Sequence, residues 1–518
     1  MTSQIFDSIP ANRLTVALGV AAASVVTGAI LRRARHTPPG PTPLPVVGNW
    51  LALPSKDPWV KFAEWSEQYG SEIIHLTVFG TDILIINSAE AAKALFEGRS
   101  ALYGDRPKFT MLNELVGLSW HFGFMPQGDT WKTHRKIFAN EFNPSSVSQF
   151  RPHQLKWRNI FLKNLLKTPN DFVTHIQHLA SGVALDLTFG LDVASSGQPD
   201  PFILAATQAL EGLAATGIFG TYLVDYLPFR EPLSPHNAVK YLPSGQFQRQ
   251  AKNWKTSTDI AVTVPFNIVK TNMAEEKEVR PSVASSLVRG GTFAEDDIRK
   301  TTSAMFANGS AATVSALRTF ILAMALNPEV QAKAQKELDA LLAQTEKKLP
   351  DFTDEASLPY ISAIVKEVLR WNPVVPLAFP HKLTTDDVYN GYHLPAGSVI
   401  FPNAWAMLHD AKVYGADVSS FRPERFLTKD GKLDPNIRSP DVAFGFGRRI
   451  CPARNFGISE LFIFSASILA VFEITELGKI EKNPHYSSGL LRYPAPFSCS
   501  IKPRSAQHEK AIEVLAGI

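Results

Sequence analysis

The ten residues Phe444-Gly445-Phe446-Gly447-Arg448-Arg449-Ile450-Cys451-Pro452-Ala453 deliver one cysteine from a glycine-punctuated loop, just ahead of a helix-like segment rich in Ala, Leu and Ile. A cysteine acts as ligand or nucleophile through its thiolate, which a helix start, adjacent arginines or a bound metal each favours. Cys451 has a candidate for all three. Gly445 and Gly447 let the backbone approach a flat partner, and Arg449 can meet a carboxylate beside it. The other cysteine, Cys499, sits in the alternating run Phe497-Ser498-Cys499-Ser500-Ile501 and reads as strand packing. Two cysteines suit a reducing compartment and exclude a disulfide framework, a CxxC zinc site and an iron–sulfur cluster. A metal held through sulfur would therefore take one thiolate.

Other spacings converge on carboxylates and ion pairs. Trp131 and Arg135, one helical turn apart, present an indole N–H and a guanidinium to one place. Glu367 and Arg370, three apart in an otherwise apolar helical run, share a face and can pair. Phe421-Arg422-Pro423-Glu424-Arg425-Phe426 follows, and His381 stands after Pro380 between the two.

The spacing Phe-x-x-Gly-x-Arg-x-Cys-x-Gly, starting at Phe444, is the haem-ligand signature of the cytochrome P-450 (haem-thiolate) superfamily. The sequence resembles it at every fixed place but the last, where Ala453 replaces glycine. The resemblance implies haem b with Cys451 as axial thiolate, the ligation that favours O–O cleavage. It also implies that Trp131, Arg135, His381 and Arg449 clamp the propionates, and that Glu367, Arg370 and Arg425 form a buried network fixing the meander beneath the haem. Ala453 adds only a methyl group to a helix-compatible backbone.

The long helix Ala294–Ala325 resembles the family's oxygen-binding helix, written Ala-Gly-x-Asp/Glu-Thr. Aligned through Gly309, the acid falls on Ala311 and the alcohol on Ala312, so both proton-handling side chains are missing. In the usual mechanism they order water so that protons reach the distal oxygen. Three possibilities follow: the substrate brings a hydroxyl, Ser310 or Thr313 with water substitutes, or the enzyme isomerises, dehydrates or uses peroxide. A non-catalytic haem or ligand-binding protein is a further alternative.

The elements that must position these residues are mostly helical. Periodicity predicts helices at Ala91–Glu97, Trp131–Glu141, Gln154–Leu166, Phe172–Phe189, Pro328–Gln344 and Leu358–Trp371. Glu72–Asn87 predicts a hairpin around Phe79-Gly80-Thr81-Asp82, and short strands return at Ser398–Pro402 and Phe497–Ile501. The fold class is mainly α with a small β lobe, and the resemblance makes it the cytochrome P-450 fold. Residues 1–35 read as a membrane anchor, because Leu14–Leu31 is uncharged and followed by Arg32, Arg33 and Arg35. A signal peptide is the rival reading. Residues 36–50 form a proline-rich hinge, a stiff linker unable to join helix or sheet, and 51–518 the catalytic body. The anchor implies a single-pass protein of the endoplasmic reticulum membrane with a cytosolic body.

Apolar residues at 45% supply a large core, and the net charge of +4 without a basic block argues against nucleic-acid binding. No phosphate-cradling glycine motif for a flavin or nicotinamide is present, so electrons come from outside. The resemblance implies a membrane-bound NADPH-dependent reductase, with Lys132, Lys136 and Arg448 available for a basic docking face. Phe306, Val374–Phe379 and Ser487–Leu491 resemble substrate-recognition segments and imply a hydrophobic small molecule. Tyr222–Tyr241 resembles the family's lid connection or is a surface loop, and the overall style resembles fungal multifunctional or secondary-metabolite members.

Overall fold

The computed structural model describes residues 36–198, 200–226, 246–478, 480–481 and 484–515. The Leu14–Leu31 run and the part of the lid stretch after Tyr226 lie outside them. In chain order the elements used below are α1 (Pro58–Tyr69), β1 (Ile73–Val78), β2 (Thr81–Ile86), α2 (Asp129–Phe142), α3 (Arg151–Lys167), α4 (Phe172–Phe189), α5 (Pro201–Thr216) and α6 (Gln246–Ala274). There follow α7 (Glu295–Leu326), α8 (Pro328–Thr345), α9 (Pro359–Trp371), β3 (His381–Lys382), β4 (Val399–Pro402), α10 (Arg454–Val471), β5 (Phe472–Glu476) and β6 (Cys499–Pro503).

The central helix α7 starts with Glu295, Asp296 and Asp297, whose charges suit the positive end of the helix dipole, and it ends before Pro328. It packs on α4, α6, α2 and α10. The core between them is built from side chains such as Leu179, Val183, Leu317, Phe320, Ile364 and Phe464. Both α7 and α10 are long and apolar enough to cross a bilayer, but 78% and 72% of their apolar windows is buried in the body, so they are core helices. Gly182 in α4 is required by packing, since a Cβ there would lie 2.3 Å from the Trp157 ring of α3.

The β lobe is a four-stranded sheet in the order β1-β2-β4-β3. The predicted hairpin is present as a two-residue turn with Phe79 at φ 45° and Gly80 at φ 84°, the doubly positive geometry that matches strand twist. The predicted late strand is β6, paired antiparallel with β5, which follows α10 directly. The Ala91–Glu97 helix divides into an α turn over Ala89–Ala92 and a π turn over Lys93–Gly98. The proline-rich hinge is corrected in one respect: it does join the sheet. Proline lacks a donor but keeps its carbonyl. The Pro39 oxygen accepts from His75 N–H at 3.0 Å, and Asn49 exchanges bonds with Thr77.

Helix α9 carries the ion network. Arg370 meets Glu367 through two parallel bonds, Nε to Oε2 at 2.7 Å and Nη2 to Oε1 at 2.8 Å, and Arg425 Nε reaches both oxygens at 3.1 Å. The remaining guanidinium hydrogens go to the carbonyls of Leu408, Tyr414, Asp417, Val418 and Ser420, tying α9 to the segment between them. Both side chains of the Glu367–Arg370 pair are fully buried. Glu367→Ala leaves two guanidiniums without their carboxylate, and it is expected to destabilise the body by about 3–5 kcal/mol. Denaturant unfolding followed by tryptophan fluorescence measures the loss, and an unchanged midpoint would contradict a structural role.

Candidate active site

A cavity of about 270 Å³ opens between α7 and the Cys451 loop, walled by residues of α2, α4 and α10 and by the segments around Phe122 and Val375. Cys451 lies on it. The loop is shaped by its glycines: Gly445 has φ +86° and Gly447 φ +50°, and a Cβ on Gly447 would lie 2.0 Å from the Phe96 carbonyl oxygen. The Cys451 N–H donates to the Phe444 carbonyl at 2.7 Å, and Phe444 lines the cavity. Ala453 has φ −97°, outside the region that demands glycine. Burial pushes the Cys451 thiol above its ordinary pKa, opposed by a backbone hydrogen bond at Ala453 and by the charges of Arg135 and Arg454. Cys499 is buried on β6 with its thiol pushed up to about 12, which leaves it protonated and inert.

Positive charge gathers around the same space. Arg449 donates to the carbonyls of Gly104, Phe122 and Met125, and its guanidinium stacks 4.1 Å from the Trp131 ring. Arg135 donates to the Ile450 carbonyl at 2.6 Å. Arg106, which sequence reasoning missed, donates to Gly123, Phe379 and Pro380 carbonyls. Among the described residues none of the three pairs with a carboxylate. Burial accordingly lowers the pKa of each, that of Arg449 to about 9. His381 uses Nδ1 on the Tyr103 carbonyl at 2.7 Å, and burial, with the Arg106 charge, holds its pKa well below the usual value, so its neutral ring presents an acceptor at Nε2 and becomes a donor there only when a bound anion protonates it. Buried guanidiniums without counter-ions call for an anion, and a flat group bearing two carboxylates fits this donor set.

The long helix presents Asn308, Gly309, Ala311, Ala312 and Thr313 to the cavity. Thr313 Oγ1 donates to Glu460 Oε2 of α10 at 2.8 Å, and burial raises the Glu460 carboxyl to about pKa 8. Ser310 is absent from the lining; its hydroxyl is shared with Ser181 of α4 at 2.8 Å. Phe306 also turns away, packing edge-on against Phe189. Of the other expected wall segments, Val374, Val375, Ala378, Phe379 and Leu491 line the cavity. Lys136 and Arg448 are exposed, as is Lys132, which pairs with Asp129 at 2.9 Å.

The family model for cytochrome P450 matches residues 38–501. The chain belongs to the cytochrome P450 family. This P450 is 39% identical over 502 residues to the tryptamine 4-monooxygenase of Psilocybe cyanescens, covering 93% of this chain and 96% of the relative. It is 39% identical to cytochrome P450 monooxygenase 98 of Postia placenta, covering 97% of each, and 40% identical to the eriA monooxygenase of Hericium erinaceus, covering 93% and 90%. The P450 is a haem-thiolate monooxygenase that hydroxylates a small molecule, and its relatives are fungal. The isomerase, peroxide-using and non-catalytic readings raised by Ala311 and Ala312 are not favoured.

Glu460 gives this P450 a testable pH dependence. Between its ordinary 4.5 and about 8 the folded chain keeps a proton that the unfolded chain releases. The stability tied to that proton is therefore full below about 4.5 and declines as pH rises through about 8. Glu460→Gln, neutral throughout, is expected to gain on the native protein in thermal midpoint from pH 5 to pH 8. Midpoints that run parallel across that range would show the carboxyl to be ordinary.

Proposed function

We propose that Cys451 would hold haem b through its thiolate, that Arg106, Arg135, Arg449 and Trp131 would receive its propionates, joined by His381 once protonated, and that Phe444 would contribute to the haem pocket. The supporting observation is the meeting, in one cavity, of a cysteine loop closed by two positive-φ glycines with buried Arg106 and half-buried Arg135 and Arg449, none of which has a counter-charge among the described residues. When bound, the haem supplies reductive activation of dioxygen.

The chain's own part is to exclude water, hold the substrate and hold a proton. The side chains of Ala311 and Ala312 carry no exchangeable hydrogen, so the usual acid and alcohol have no counterpart there. The nearest proton store in the wall is Glu460, whose carboxyl stays neutral at pH 7 and whose Oε2 accepts from Thr313. Thr313 therefore suits the substituting role better than Ser310, which is bonded away from the cavity.

The lining is largely apolar, and Glu460 is its sole carboxylate among the described residues. A cationic amine would find no counter-charge, so a neutral hydrophobic molecule fits best. Electrons come from a separate NADPH-dependent reductase docking near Lys132, Lys136 and Arg448. Residues 1–35 anchor the protein in the endoplasmic reticulum membrane, residues 36–50 are the hinge, and 51–518 form the catalytic body. The run of 18 uncharged residues before the Arg32 cluster motivates the anchor.

The carbon monoxide difference spectrum of the reduced full-length protein tests the ligation. A thiolate-type band is expected in the native chain and its loss in Cys451→Ser. An unchanged band in the serine variant would exclude Cys451 as ligand. Turnover with reductase and NADPH under heavy dioxygen should place one labelled oxygen atom in the product.

A further inference from the structure

We propose that the Asn308 side-chain amide, held in place by His121, donates a hydrogen bond to an acceptor oxygen on an otherwise apolar substrate and thereby sets specificity. This rests on the monooxygenase reading and adds a chemical class to it: hydrocarbon frames carrying a carbonyl or ether oxygen.

His121 follows the short helical turn Leu118–Trp120 and is buried, with the rings of Trp120, Phe122 and Phe124 centred 5.5, 5.8 and 5.6 Å away. Its Nδ1 accepts the Gly123 N–H at 3.1 Å, so that nitrogen carries no hydrogen and Nε2 of the neutral ring does. Burial keeps the ring neutral by lowering its pKa to about 4. Nε2 lies 3.3 Å from Asn308 Oδ1 and 3.0 Å from Nδ2. A ring N–H must be met by oxygen, and a half-turn exchanges the two amide atoms. The imidazole therefore takes the amide oxygen and leaves the NH₂ group with both hydrogens unused.

Asn308 and His121 both line the cavity, and among the described residues the Asn308 side chain has no other hydrogen-bond partner. In the pattern that the long helix resembles, this position is alanine. Thr188 of α4 lies in the same wall, fully buried, with a hydroxyl that has no hydrogen-bond partner among the described residues. The surroundings are apolar, including Ala184, Leu213, Ala312, Val375 and Phe379. Polar hydrogens facing such a wall are unfavourable until a ligand meets them. A site of this kind discriminates strongly against the analogue that lacks the oxygen.

The test uses the haem-loaded full-length protein and matched probes: 1-tetralone with tetralin, and dibenzofuran with fluorene. Spin-state titrations are expected to show the oxygen-bearing member binding about tenfold more tightly. Asn308→Leu should abolish the preference by weakening only that member. His121→Phe should do the same, while His121→Gln, which retains an N–H donor, should keep it. No spectral response to the oxygen-bearing probes, no preference in the native protein, or an equal preference in Asn308→Leu overturns the proposal. The carbon monoxide spectrum of each sample separates the two levels. A native protein without the thiolate band overturns the monooxygenase reading together with the proposal, whereas an intact band without preference overturns the Asn308 assignment alone.

Discussion

Charge balance at the buried cavity is the constraint on which the site depends. Arg106 is buried and Arg135 and Arg449 half-buried, and the carbonyls they meet supply partial charges but no compensating anion. A cation in that state is unfavourable by itself, and the sulfur of Cys451 is likewise driven toward its neutral form by burial. An anionic ligand over the guanidiniums and a cationic centre at the sulfur would relieve both at once. The loops at Gly104 and at Gly123–Met125 serve this need, because their carbonyls converge on Arg106 and Arg449 and hold them in place.

Much of this was legible in the sequence where the signal is local. The Cys451 loop, the Glu367–Arg370 spacing and the Trp131–Arg135 turn each depend on a few consecutive residues, and hairpin and helix periods are of the same kind. Arg106 was missed because nothing local marks it. Its role comes from carbonyls of Phe379 and Pro380, more than 270 positions on. Glu460 reads as an ordinary helical acid until Thr313, 147 positions earlier, is seen to lie against it. That Phe306 and Ser310 lie off the cavity while Thr313 lies on it was not legible, because sequence gives the period of a largely buried helix but not which of its faces looks into the cavity. On α7 both apolar and polar side chains are buried, Ser303, Ser310 and Ser315 among them, so polarity offers no clue to orientation.

The departures at Ala311 and Ala312 acquire a different meaning beside the relatives. Loss of an acid and an alcohol suggested other chemistry, yet the relatives at 39–40% identity are named monooxygenases. Gly309 lies against Ala184 of α4, where an added Cβ would sit 3.5 Å from that methyl group. Function in this fold is thus carried by the site and not by any one pair of residues.

The seating of the proline-rich segment on β1 has a practical consequence. In the order β1-β2-β4-β3, β1 is an outer strand, and the Pro39 carbonyl together with the Gly48 and Asn49 backbone covers its free side. Shortened forms for crystallisation that begin after Asn49 would bare that row of amides and invite strand-to-strand association between molecules. Forms that begin before Pro39 retain the cover.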